Sequence, residues 1–175
     1  LAFLNFQYIL KLQNYLVWSS SGIEKMLSAS VVRPWLVIWL YLIALGHLAG
    51  AVGMTWLVDL PLFADYHQSI VAAFGFAPDQ MEVMALHSWW MSLFGATLQA
   101  FSLFFLALVY FANRYRCAAA WFWLGVGILL WAPQDIYLSL QRGVWLHLWV
   151  DLAAVGAIVP PLCVLWWWDR KWKQE

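Results

Sequence analysis

From Pro34 to Val58 the chain carries no Asp, Glu, Lys or Arg, and most of its residues are apolar or aromatic. Such a run has few ways to fold. The hydrocarbon core of a bilayer is about 30 Å thick and an α-helix rises about 1.5 Å per residue, so roughly 20 apolar residues cross it. In lipid, a helix is the single segment that satisfies its own backbone polar groups. Pro34 opens the run, where a missing N–H costs little. Three further runs of the same kind follow, over residues 84–112, 117–138 and 144–168. Asn113, Arg114 and Arg116 interrupt them, and Asp169, Arg170 and Lys171 end the last. Only 10% of the residues are charged and 65% are hydrophobic, whereas soluble domains carry about a quarter charged residues. The sequence therefore predicts an all-α polytopic membrane protein, an antiparallel four-transmembrane-helix bundle forming one domain over residues 26–175. Pro133 is expected to bend or end the third span near Trp131. The Pro160-Pro161 pair is expected to kink the fourth unless neighbouring groups compensate.

The distribution of charge gives an orientation. Lys25 and Arg33 precede the first span, Arg114 and Arg116 join the second and third, and Arg170, Lys171 and Lys173 follow the fourth. In a four-span topology these share one side. The other side has Arg142 alone, beside a loop over residues 59–83 that holds Asp59, Asp65, Asp79 and Glu82 and no Lys or Arg. The positive-inside rule then places both termini in the cytoplasm, in the inner (plasma) membrane of a bacterium. Ile70, Val71, Phe74 and Phe76 keep that loop apolar between Pro61 and Pro78, which predicts a short helix lying on the membrane. Trp35, Trp121, Trp123 and the Trp166–Trp168 run belong to the inner interface, and Trp56, Trp89, Trp90, Trp145 and Trp149 to the outer one.

Residues 1–25 read differently. Gln7, Lys11 and Asn14 share one helical face among apolar neighbours, which suits an interfacial amphipathic helix. An over-extended gene start is the alternative, because Met26 opens a sequence typical of a membrane-protein N-terminus.

Ionisable groups within spans are costly and default to functional-site candidates. His87, Asp135, His147 and Asp151 fall in the outer third of spans two, three and four, while His47 and Gln99 lie deeper. His147 and Asp151 are four residues apart, so they share a helical face, where a carboxylate can orient an imidazole or favour its charged form. The plainer alternatives are a polar pair bonding neighbouring helices, a packed His47, an Asp135–Arg142 ion pair, and Gln99 bonding across helices. Gly46, Gly50 and Gly53 give the first span a small-residue face suited to close helix packing.

Several chemistries lack a signature. No His-Glu-x-x-His or Cys-x-x-Cys-His motif occurs, and no metal is assigned. No Ser or Cys stands beside a base in a recognisable nucleophile context. Cys117 and Cys163 fit packing roles. The formal net charge is zero, and no basic block suggests nucleic acid. Spans one–two and three–four do not repeat, which argues against a complete monomeric transporter. Three readings stand open. The first is a structural, accessory or interaction protein, working with the lipid bilayer and with a homo-oligomeric or other membrane partner. The second is a binding site or enzyme for a lipid, quinone or haem built on His147, Asp151, His87, Asp135 and His47. The third is a proton or ion path through the same side chains.

Overall fold

The computed structural model describes residues 31–77 and 79–172. The amphipathic segment expected over residues 1–25, Pro78 and Lys173 lie outside them. The described residues form five α-helices and one 3-10 turn, with no strand among them. Helix α1 spans Val31–Trp56. A 3-10 turn at Pro61–Phe63 leads into α2, Ala64–Ala73. Then follow α3 (Met81–Tyr115), α4 (Ala118–Gln141) and α5 (Trp145–Trp172). The chain divides into two compact units after Leu36, and every contact described below lies within the second.

Helices α1, α3 and α5 are long and apolar enough to cross a membrane. At 35 residues, α3 extends about 52 Å, longer than the hydrocarbon core, so its ends reach the headgroup layers. Large apolar side chains such as Leu45, Phe104 and Val150 point outwards, so these helices are apolar on both faces, as lipid-facing helices are. Helix α4 has 24 residues and packs against α5 most extensively, and against α3. The run Pro133-Gln134-Asp135 interrupts its apolar sequence.

Residues Leu40, Ala44 and Ala51 bury one stripe of α1, at the 4- and 7-residue spacing of a helix face. Gly46 and Gly50 lie on the other side, where an added Cβ would meet nothing within 4 Å. The close helix contact falls on Gly95 of α3 instead. A Cβ there would stand 2.6 Å from Thr55 Oγ1 and 2.9 Å from the Ala51 carbonyl oxygen. Gln99, one turn further, donates to Thr55 Oγ1 at 2.8 Å, and Thr55 donates to the Ala51 carbonyl at 2.9 Å. Within the chain, the close contact of α1 therefore forms through Ala51 and Thr55, while Gly46 and Gly50 face away from it.

The prolines are accommodated without ending either helix. α4 runs through Pro133 to Gln141, and the Gln134 amide donates to the Leu130 carbonyl at 2.6 Å. In α5, Pro161 has no N–H for the carbonyl of Ala157. The Trp39 indole N–H of α1 donates to that carbonyl at 2.9 Å, the compensation a membrane helix needs. At the end of α5 remote from α2, the fully buried Asp169 accepts from Trp121 Nε1 at 2.9 Å. It also pairs with Arg116 at 3.3 Å.

Candidate functional site

Helix ends converge at the α2 end of the molecule. The connection between α4 and α5 is three residues, and Gly143 takes φ +70°, a conformation glycine adopts without steric cost. That reversal sets Ser139, in the last turn of α4, beside His147 in the first turn of α5. α2 packs against α3, with His67 and Val71 as its buried residues. This four-residue spacing makes one face of the helix.

His67 is 4% exposed and both of its ring nitrogens are engaged. Its Nε2 lies 2.8 Å from the carbonyl oxygen of Val58 at the end of α1, and only an N–H can bond there. Its Nδ1 lies 2.7 Å from Nδ1 of His87. In a neutral pair the His67 proton sits on Nε2, so the His87 Nδ1–H donates and Nε2 of His87 keeps its lone pair. The backbone carbonyl of Val58 therefore sets the tautomer of both rings.

A second chain of bonds lies beside the first. Tyr66 Oη is 2.7 Å from His147 Nε2, with the rings stacked at 5.7 Å between centroids. Nδ1 of His147 is 3.0 Å from Ser139 Oγ. When the Tyr66 hydroxyl donates, His147 donates to Ser139; in the other tautomer both bonds reverse. Burial, together with the nearby Asp135 carboxylate, raises the Tyr66 pKa above the ordinary phenol value, so the phenol holds its proton at neutral pH. The Tyr66 ring also lies 6.0 Å from that of His87.

Asp135 of α4 and Asp151 of α5 face each other within hydrogen-bonding range. Asp151 is 2% exposed, and its Oδ2 is buried with no hydrogen-bond partner among the described residues. No hydrogen bond joins Asp151 to His147. The four-residue spacing puts both on one face, but Asp151 lies a turn deeper and turns to α4. Arg142 stands over the Phe74 ring at 4.8 Å, and no ion pair with Asp135 occurs among the described residues.

A cleft of about 700 Å³ opens next to this cluster, within the ordinary range for small-molecule sites. Val58, Leu60, Met84 and Trp89 make it largely apolar, and Asp59, His67, Ser88 and Ser92 are its polar points. The two imidazole nitrogens at 2.7 Å are too close to bracket a metal ion, which stands about 2 Å from each nitrogen. A bis-histidine haem therefore does not fit between His67 and His87. No group of three or more metal-binding side chains occurs among the described residues.

No family model, curated protein or solved structure matches this chain. Its chemistry rests on the geometry alone.

Of the side chains singled out by depth, His87, His147, Asp135 and Asp151 come to one end of the molecule. His47 does not join them. Its Nδ1 meets the Ile43 carbonyl of its own helix at 2.9 Å. Gln99 serves the α1–α3 contact, and Gly53 has only the Phe63 ring edge nearby, at 3.8 Å. Sequence reasoning missed Tyr66, His67 and Ser139. The available signal was the spacing of His67 and Val71, which marks an imidazole on the apolar face of a short helix.

Proposed function

We propose that the chain is a four-span membrane protein whose α2 end forms a proton-exchanging binding site for a lipid-soluble molecule. Helix α4 serves as the fourth span, held between α3 and α5. Arg114, Arg116, Arg170 and Lys171 mark the cytoplasmic end, and the acidic α2 segment the opposite one. The observation that carries the reading is the part-buried His67–His87 contact, with His67 in the wall of an apolar cleft. In the neutral pair His87 keeps an Nε2 lone pair that can accept a hydrogen bond or a proton from a ligand's head group. An apolar cleft in the headgroup zone favours a ligand with a hydrocarbon body and one hydrogen-bonding head, such as a quinone or a lipid.

The test uses the full chain purified in mild detergent. Mass spectrometry should identify a co-purifying lipid or quinone, and a short-chain quinone or a phospholipid should raise the unfolding temperature saturably. His67→Gln and His87→Gln should remain inserted and monodisperse while losing that response. A wild-type protein with no bound molecule and no saturable response to either probe would overturn the reading. A structural or accessory role then follows, which one observation favours: both nitrogens of His67 and of His147 already have protein partners.

A further inference from the structure

Separate from the histidines, one pair of side chains is incomplete as drawn by the protein alone. The Asp151 carboxyl is buried, one of its oxygens has no partner, and the group it faces is another carboxyl. Two carboxylates have only acceptors to offer each other. Ionised together in contact they repel, and burial removes the water that would screen them. No Lys or Arg pairs with either among the described residues, and Arg142 is held over Phe74. The other groups around them are Tyr66 from α2, which faces Asp135, His147 one turn earlier on α5, and Ser139 one turn later on α4. His87 of α3 is occupied by His67. None of these supplies a fixed positive charge to the pair.

We propose that Asp135 and Asp151 form a one-proton site, a carboxyl–carboxylate pair that holds a single exchangeable proton. The proton makes the contact a charge-assisted hydrogen bond, the strong kind. On exchange, the O–H bond of the protonated carboxyl breaks and its electron pair stays on oxygen. The proton passes to water at the α2 end. Tyr66, between Asp135 and His147, stands where such a proton would leave. The site is independent of the molecule that occupies the cleft, so failure of the ligand-binding test leaves it untouched.

Infrared spectroscopy of the full-length protein in detergent tests it directly. At mildly acidic pH the spectrum should contain the C=O stretch of a protonated, buried carboxylic acid, which moves to lower frequency in D₂O. Asp151→Asn and Asp135→Asn should each abolish that band while the amide bands stay helical. The isotope shift needs only the wild-type chain, so an unstable variant does not remove the test. Absence of the band from the wild-type protein, or its persistence in both variants, would overturn the proposal. Absence of the band together with stabilisation by sodium chloride over choline chloride would assign the site to a metal cation instead, and would overturn it equally.

Discussion

Replacing Tyr66 by Phe removes one oxygen atom from the cluster and leaves the ring stacked on His147 at 5.7 Å, so the loss is confined to the hydroxyl. His147 Nε2 then loses its partner at 2.7 Å. An unsatisfied polar group costs about 1–3 kcal/mol when buried, and the half-buried position of this bond puts the expected loss at about 1–2 kcal/mol. For a chain of this size that corresponds to about 2–8 °C in the unfolding temperature. Tryptophan fluorescence during heating in detergent would report it. The pH dependence adds a second, sign-specific readout. The Tyr66 pKa is raised above 10.0 in the folded protein, so the unfolded phenol ionises first. Its contribution to stability is complete below pH 10.0 and is lost as pH rises through the folded-state pKa. Phe cannot ionise, so the stability gap between wild type and variant should narrow above that pH. Other titrating groups are common to both proteins and cancel in the difference. A neutral-pH loss no larger than an ordinary surface substitution, about 0.5 kcal/mol, with a gap that stays constant into alkali, would refute the geometry.

Three other outcomes follow from the packing and topology. Gly95→Ala should destabilise by about 1–3 kcal/mol through overpacking, because the new Cβ meets the Thr55 and Ala51 backbone; the same unfolding assay checks it, and Gly50→Ala, with open space around it, should be nearly silent. Trp39→Phe should cost about 1 kcal/mol or more by leaving the Ala157 carbonyl unpaired, and an unchanged unfolding temperature would remove that bond from the account. A cysteine placed at Ser69 should react with a membrane-impermeant maleimide from the extracytoplasmic side of intact cells, in a background with Cys117 and Cys163 replaced by Ala. Labelling from the cytoplasmic side alone would invert the topology.

The helices were legible because lipid imposes a simple rule on sequence: long apolar runs, punctuated by charge. Pro61 and the apolar Ile70, Val71 and Phe74 likewise foretold a short helix between α1 and α3, and α2 occupies residues 64–73. Four of the polar side chains at the α2 end were conspicuous because an ionisable group within an apolar run carries an energetic cost. The same criterion was blind to Tyr66 and His67. They lie outside the apolar runs, where polar residues cost nothing and send no signal, yet folding buries His67 almost completely. The depth criterion also promoted His47, whose polar nitrogen is satisfied within its own helix. Which partner a polar group finds depends on how helices face each other, and spacing along one helix does not contain that information. Asp151 illustrates this: no hydrogen bond joins it to His147 four residues away, and its Oδ2 is buried without a partner among the described residues.

Tyr66 and His67 are adjacent in sequence but bond to different helices, His147 of α5 and His87 of α3. Neighbouring helical residues point about 100° apart, so a helix laid across the ends of two others reaches both with consecutive side chains. α2 is thereby tied to two helices by directional polar bonds, beside the apolar packing of Val71. Bonds of this kind are strong where water is excluded and readily exchanged where it is not. Placed at a helix end next to an open cleft, they can trade a protein partner for a ligand's carbonyl or hydroxyl without unfolding a span. If the proposed ligand occupies the cleft, it would meet these bonds at His67, and its binding would then bear on the position of α2.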